Sequence, residues 1–321
     1  MNARASYDRI LRRLQAYPLD DQPHSNPAAH THGESRCVGI AGLGLIGTSL
    51  ARRLLAAGFT VCGYDIQTER RALLAELGGQ PVDSPSALGE RCSTIVIAVL
   101  STDQVEAVMD TAHLRPGSLV ICTSTCDPDR IDALARRLAP GGIRFVEMPL
   151  SGNSDQIALG NGVGLIGGAA EDVAAADEVI AALCARYFHL GAVGAGGRAK
   201  LAVNLIGGLN RAVLAEGLAF AESMGLELIP LLEVLKASAA YSRTMDNRGI
   251  KMVLSDFTPH AKVAQSRKDF ALMHEAARRC GQQLPLARVY LELIESCLAQ
   301  GEGELDNSAI ISELRRRRRS D

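Results

Sequence analysis

Lys200 and Asn204 stand four residues apart, a spacing that puts both on one face of a helix. Gly194-Ala195-Gly196-Gly197 comes immediately before them, so the lysine is expected in or near the helix's first turn. There the helix dipole disfavours an ammonium group, and burial disfavours it further. An amine that gives up its proton near neutral pH suits a general base for alcohol oxidation, or a general acid for the reverse. Asn204 is placed to hold a substrate hydroxyl or to orient the lysine. Glu147-Met148-Pro149-Leu150-Ser151-Gly152-Asn153 follows an apolar run at 143–147 and so emerges from a strand end. The Ser151 hydroxyl and the Gly152 backbone there offer a cradle for a carboxylate. Each feature alone has a plainer reading: a surface lysine, a polar turn.

A second set of residues is suited to phosphates. Gly42-Leu43-Gly44-Leu45-Ile46-Gly47 lies between an apolar run at 37–41 and a helical stretch at 48–57. A further apolar run, 59–64, ends on Asp65. The first glycine permits a tight turn, the second lets a pyrophosphate approach the backbone, and the third lets helix pack on strand. Free N–H groups at the helix start hold the phosphates. Asp65 is placed to accept hydrogen bonds from ribose hydroxyls and to repel a 2′-phosphate, so NAD is expected over NADP. Arg70 and Arg71 follow and read as a solvated helix face. Leu100, Ser101 and Thr125, where the runs 94–100 and 118–123 end, complete the expected cofactor contacts.

These residues need a scaffold that brings strand ends and helix starts together. From 37 to 195, strands at 37–41, 59–64, 94–100, 118–123, 143–147, 162–167 and 186–190 alternate with helices at 48–57, 68–77, 103–112, 128–138 and 171–183. Such alternation predicts a Rossmann-type α/β domain, a doubly wound and mostly parallel sheet. From 196 to 312 the pattern is all-helical, beginning with a long interdomain helix over 200–224, then 228–238, 243–253, 260–280 and 285–300. Residues 1–36, rich in His, Asp, Asn, Pro and Gly towards their end, are expected to be a disordered extension. Residues 313–321, with Arg315 to Arg319 in a row, are expected to be a solvated arginine-rich tail.

The chain has 321 residues, enough for two cores, and a formal net charge of -2, which argues against a nucleic-acid surface. No apolar run approaches the ~20 residues that span a bilayer, and the opening residues do not read as a signal peptide; a cytoplasmic protein without a membrane partner is expected. The eight cysteines sit singly without Cys-x-x-Cys spacing, so no metal site is expected.

The order of these motifs resembles the β-hydroxyacid dehydrogenase family, typified by 3-hydroxyisobutyrate and tartronate semialdehyde dehydrogenases. The likeness covers about 37–311. Ser124-Thr125-x-x-Pro128 is similar to the family's strand-end motif, Pro149-Leu150-Ser151-Gly152 to its substrate-binding motif, and Gly194-x-Gly196-x-x-x-Lys200-x-x-x-Asn204 to its catalytic helix. Lys268-Asp269 resembles a pair whose lysine reaches the cofactor side of the cleft, and Gly301 to Ser308 the closing segment. The resemblance implies Lys200 as general acid/base assisted by Asn204. It implies that Ser151, Gly152 and Asn153 bind the carboxylate of a small hydroxy acid, that Lys268 contacts cofactor or substrate, and that the chain forms a homodimer or homotetramer. Departures fall around the substrate: Glu147 stands where members carry Asp, Asn153 where they carry Gly, and Ser154-Asp155-Gln156 is more polar than usual. A polar substrate is therefore expected. Two alternatives stay open. Gly42 to Leu50 also resembles the cofactor loop of prephenate and arogenate dehydrogenases, although no histidine here follows a strand suitably; and a non-catalytic NAD(H) sensor is compatible with the altered loop.

Overall fold

A computed structural model describes residues 36–318. The chain opens with β1 (Cys37–Ala41), α1 (Leu45–Ala56), β2 (Thr60–Tyr64), α2 (Thr68–Glu76), β3 (Gln80–Pro81), α3 (Pro85–Arg91), β4 (Thr94–Ile97) and α4 (Thr102–Thr111). β5 (Leu119–Cys122), α5 (Pro128–Leu138) and β6 (Arg144–Glu147) follow. These six strands form one parallel sheet in the order β3-β2-β1-β4-β5-β6. Period-two alternation sends Val38, Ile40, Val96, Ile121 and Val146 into one core and Ile95, Ile97, Val120 and Phe145 into another, so both faces are covered, as a doubly wound sheet requires. The order reverses between β1 and β4, which opens a crevice at the carboxyl ends of the strands.

The strands expected at 162–167 and 186–190 do not extend that sheet. β7 (Leu150–Ser151), β8 (Val163–Ile166) and β9 (Arg186–His189) make a small second sheet, with α6 (Ser154–Ala158) and α7 (Ala170–Leu183) between them. Its β7–β8 pair is antiparallel. Glu147 and Gly167 exchange both backbone hydrogen bonds, at 2.9 and 3.0 Å, so β6 hands over to β8 in antiparallel sense. Pro149, which has no N–H to give a continuing ladder, stands at the turn.

After β9 every regular element is helical. α8 (Ala195–Ser223) is followed by α9 (Leu228–Ala237), a π-helical turn at Met245–Gly249 that runs into α10 (Ile250–Leu254), then α11 (Val263–Arg279), α12 (Pro285–Ala299) and α13 (Ile310–Arg316). Their shared core is built on Leu201, Leu214, Leu218, Phe270 and Tyr290, the last two with ring centroids 4.2 Å apart. No helix among the described residues is long and apolar enough to cross a membrane.

Both chain ends differ from expectation where they are described. Of the segment 1–36 only Arg36 falls within the described residues, and it belongs to the fold: its guanidinium lies 4.5 Å over the Phe59 ring and pairs with Glu178. At the other end Arg315 and Arg316 lie on α13 and are not a solvated tail. Arg315 pairs with Glu222 at 2.8 Å, Arg316 with Glu302 at 2.6 Å, and Arg317 with Glu313 at 2.7 Å. For Arg315 and Arg316 carboxylates distant in sequence supply the partners, which a local reading of charge does not reveal.

Candidate active site

The glycine loop after β1 has the shape its spacing predicts. Gly42 holds φ +95°, and a Cβ on it would stand 2.6 Å from the Ala98 carbonyl oxygen. A Cβ on Gly47 would stand 1.9 Å from the Gly42 oxygen, so helix and turn close only without side chains. Gly44 differs: the nearest atom to a Cβ there is Arg70 Nη1 at 3.7 Å, so its side of the loop is open. α3, α4 and α5 are capped by the Ser84, Ser101 and Asp127 side chains, whereas α1 has Gly44 at its cap and no side-chain cap. Its first N–H groups remain free for an anion. The open loop and uncapped helix fit a dinucleotide pyrophosphate, with Leu43, Leu45 and Ile46 in the same turn.

Asp65 is buried at the end of β2. Its carboxylate accepts from Leu43 N at 2.8 Å and Gln67 N at 2.9 Å, which locks it against the loop. Arg70 and Arg71 are not a detached solvated face: Arg70 Nη1 is 3.3 Å from the Asp65 carboxylate, and Arg71 donates to the Asp65 carbonyl at 2.6 Å. The two strand-end loops converge through Lys268 on α11, whose Nζ donates to Leu100 O at 2.9 Å and Thr125 O at 2.8 Å. Ser101, by contrast, uses its hydroxyl to cap α4, accepting from Gln104 N.

Lys200 lies in the second turn of α8, because the helix starts at Ala195, five residues earlier than the apolar stripe indicated. The dipole argument for its acidity therefore loses its footing, since that field fades within the first turn. Burial does the work: Lys200 is only 7% exposed, and desolvation pushes its amine down to about 8. Asp269 opposes that shift and Lys268 adds to it. Asn204 donates to Asp269 Oδ2 at 3.0 Å, and Lys268 pairs with Asp269 Oδ1 at 2.9 Å, so one carboxylate ties both residues together.

Ser151, Gly152, Lys200 and Asn204 line a single cavity of about 200 Å³. Asn153 also lines it; its side-chain oxygen and backbone N–H cap α6. Its side chain accepts from Gln156 N at 2.8 Å, and its own N–H donates to Gln156 Oε1 at 3.0 Å. The far wall carries Arg211, Asn247, Arg248, Gln265 and Asn307, none of which the sequence analysis singled out. Glu147 was noted only as a departure from the family's pattern. It is buried at the open end of α8, where desolvation raises its carboxyl to about 7 against the pull of the Gly197, Gly194 and Gly196 N–H groups.

The fold and this site define a nicotinamide-dependent dehydrogenase built from a dinucleotide-binding sheet and a helical half that completes the cleft. Residues 37–191 match the NAD binding domain of 6-phosphogluconate dehydrogenase, and residues 194–314 match the NAD-binding segment of NADP-dependent 3-hydroxyisobutyrate dehydrogenase. L-threonate dehydrogenase of Cupriavidus necator is 34% identical over 86% of this chain and 95% of its own. Human mitochondrial 3-hydroxyisobutyrate dehydrogenase is 26% identical over 87% of this chain and 86% of its own. The crystal structure of a 3-hydroxyisobutyrate dehydrogenase from Salmonella typhimurium superposes with a TM-score of 0.80 at 28% identity, covering 86% of this chain and 99% of that one.

The chain belongs to the β-hydroxyacid dehydrogenase family and is an NAD(P)-dependent enzyme acting on the CH–OH group of a small hydroxy acid. The likeness to prephenate and arogenate dehydrogenases is thereby confined to the glycine loop. His189, the strand-end histidine, lies within hydrogen-bond distance of the Gly168 and Gly191 carbonyls, at 2.9 and 3.1 Å.

Proposed function

We propose that this enzyme oxidises a small, polar β-hydroxy acid with NAD, or reduces the corresponding carbonyl acid, using Lys200 as general acid/base. The observation that carries the proposal is a buried amine brought down to about 8 in the same cavity as Ser151, Gly152 and Asn204. The substrate carboxylate takes the Ser151 hydroxyl and the Gly152 N–H. With the amine neutral, Lys200 Nζ accepts the substrate hydroxyl proton as the carbinol C–H bond breaks. The bound nicotinamide supplies the hydride acceptor. Asn204, held by Asp269, presents its amide to the same hydroxyl. Lys268 draws the helical half onto the Leu100 and Thr125 loops that border the nicotinamide position. Asn153 has its side-chain oxygen engaged by Gln156 N, which leaves the amide Nδ2 to donate to the substrate carboxylate beside Ser151.

Asp65 supports NAD over NADP, since a fixed carboxylate at the ribose position repels a 2′-phosphate. L-threonate, the substrate named for the relative at 34% identity, belongs first in a panel of polar hydroxy acids. The decisive experiment is NADH formation across that panel with wild type and Lys200→Ala, together with NAD binding by both. Loss of turnover with NAD binding retained is expected, whereas substantial turnover by the variant removes Lys200 from the mechanism. NAD binding with silence on every acid would favour the sensor reading. A homo-oligomer joined through α8 is part of the same proposal: Ile206, Val213 and Phe220 recur every seven residues and are 62%, 68% and 62% exposed.

A further inference from the structure

The cavity that holds Lys200 continues to a far wall that carries two arginines without an aligned carboxylate acceptor. Arg211 lies on α8 eleven residues beyond Lys200, a rise of about 16 Å along the axis. It is half-buried, and no carboxylate among the described residues pairs with it. Its polar contact is weak, a 3.4 Å approach to Ser266 Oγ, and its guanidinium stands 5.9 Å from the Tyr290 ring centroid.

Arg248, from the π-helical turn, is 8% exposed and lines the same wall. Its Nη1 is buried with no hydrogen-bond acceptor. The nearest carboxylate oxygen, Asp306 Oδ2, is 3.5 Å away, and Asp306 is already occupied. Oδ2 accepts from the N–H groups of His260 at 2.9 Å and Ala261 at 3.2 Å. Oδ1 accepts from the Ser308 N–H at 3.1 Å and its hydroxyl at 2.7 Å. A carboxylate offers about four acceptor positions, and all four are filled. Arg248 therefore gets a nearby charge but no aligned bond. Lys262, the other cation on this wall, is paired with Glu304.

Asp306 and Asp155 lend Arg248 charge without an aligned bond, Arg211 has no carboxylate partner among the described residues, and the two guanidinium groups repel each other, so an anion brought by a ligand would satisfy both. A guanidinium presents a planar fork that suits the oxygens of a carboxylate or phosphate. We propose that Arg211 and Arg248 form an anion subsite at the far end of the substrate cavity. The substrate class is then a hydroxy acid with a second anionic group several atoms from the first: a hydroxydicarboxylic acid or a phosphorylated hydroxy acid. Asn247 and Gln265, on the same wall, add neutral hydrogen-bonding groups beside the two cations. This assignment rests on the proposed function, since it takes the carboxylate near Ser151 and Lys200 as the first anchor.

The test compares L-threonate, whose far end is neutral, with 2-(hydroxymethyl)glutarate and erythronate 4-phosphate in wild type and Arg211→Met. Isothermal titration of both proteins with glutarate and with inorganic phosphate, NAD present, gives a readout that needs no turnover. Charge-assisted bonds of this kind support a preference of about ten- to a hundredfold in kcat/KM for a doubly anionic acid. Arg211→Met should cut that preference by a similar factor and weaken glutarate or phosphate binding at least tenfold. Preference for the dicarboxylate or for the phosphate ester identifies which anion the subsite takes. Equal or better use of threonate by wild type overturns the subsite, as does an Arg211→Met defect of equal size on all three acids. Turnover of threonate alone refutes the subsite but leaves the proposed function standing. Binding of glutarate that Arg211→Met abolishes, without turnover of any acid, supports the subsite and refutes the oxidation.

Discussion

Lys200→Met should give an enzyme that is inactive and more stable than wild type at pH 7. Burial lowers the amine from its ordinary 10.5 to about 8, so at neutral pH the folded protein carries a desolvated ammonium group. A pKa difference of one is worth 1.36 kcal/mol, so the penalty is about 3 kcal/mol below pH 8. Lys200 is 7% exposed, so solvent does little to screen that cost. Because the folded pKa lies below the unfolded one, the unfolded chain binds more protons between about 8 and 10.5. Stability attributable to this group is lowest below 8 and recovers as pH rises through that window. Methionine has a similar length and no charge, and removes the penalty at every pH. In a chain of this size about 3 kcal/mol corresponds to a gain of roughly 5 °C in Tm. Thermal unfolding of both proteins at pH 7 and at pH 10, without cofactor, measures it. A large gain at pH 7 that shrinks at pH 10 is expected. A variant no more stable than wild type at pH 7 would show that the ammonium is well solvated in the cleft, and the argument from burial to base would fail. The same lowered pKa requires oxidation kcat/KM in wild type to rise about tenfold from pH 7 to 9 with a midpoint near 8.

Three other outcomes follow from neighbouring geometry. Burial raises the Glu147 carboxyl to about 7, so its ionisation costs stability that is fully present below about 4.5 and lost as pH climbs through 7; Glu147→Gln should flatten the dependence of Tm on pH across 5 to 7.5, and an unaltered slope would contradict the assignment. Asp65→Asn keeps an acceptor for the Leu43 N–H but removes the charge that opposes a 2′-phosphate, so the ratio of kcat/KM for NAD to that for NADP should fall at least tenfold; an unchanged ratio would move the discrimination elsewhere, with Arg70 the first candidate. Phe220→Glu puts a charge into the exposed α8 stripe and should lower the oligomeric order measured by light scattering, whereas an identical mass would place the interface on another face.

What the sequence disclosed and what it withheld divide along the range of the interactions. The cofactor loop was legible because its requirements are local: three glycines, a helix start and a strand ending on an acid all fall within 37–65. The two-face burial of β4 and β5 was legible for the same reason, as unbroken apolar runs. The turn from β6 into the small antiparallel sheet was not, because it depends on Glu147 pairing with Gly167 across a loop. Cys37, Cys62 and Cys92 lie 25 and 30 residues apart, a spacing with no motif in it. Yet the fold, which sets Cys37 and Cys62 on neighbouring strands and Cys92 at the end of α3, gathers their sulfurs within 4.8 Å of one another. The active site shows the same division at closer range. The spacing of Lys200 and Asn204 put both on one helix, but the helix start was misplaced, so of the two causes expected to lower the lysine's pKa, dipole and burial, only burial holds. Arg211 could not be found that way, for an arginine on a long helix reads as a solvated charge until the packing shows that its carboxylates are missing. Asp306 belongs to the segment that the family resemblance marked, but only its four accepted bonds reveal that it offers Arg248 charge and no aligned acceptor. A motif can name the group that performs a reaction; the charge that selects the substrate is set by which partners the rest of the fold has already used.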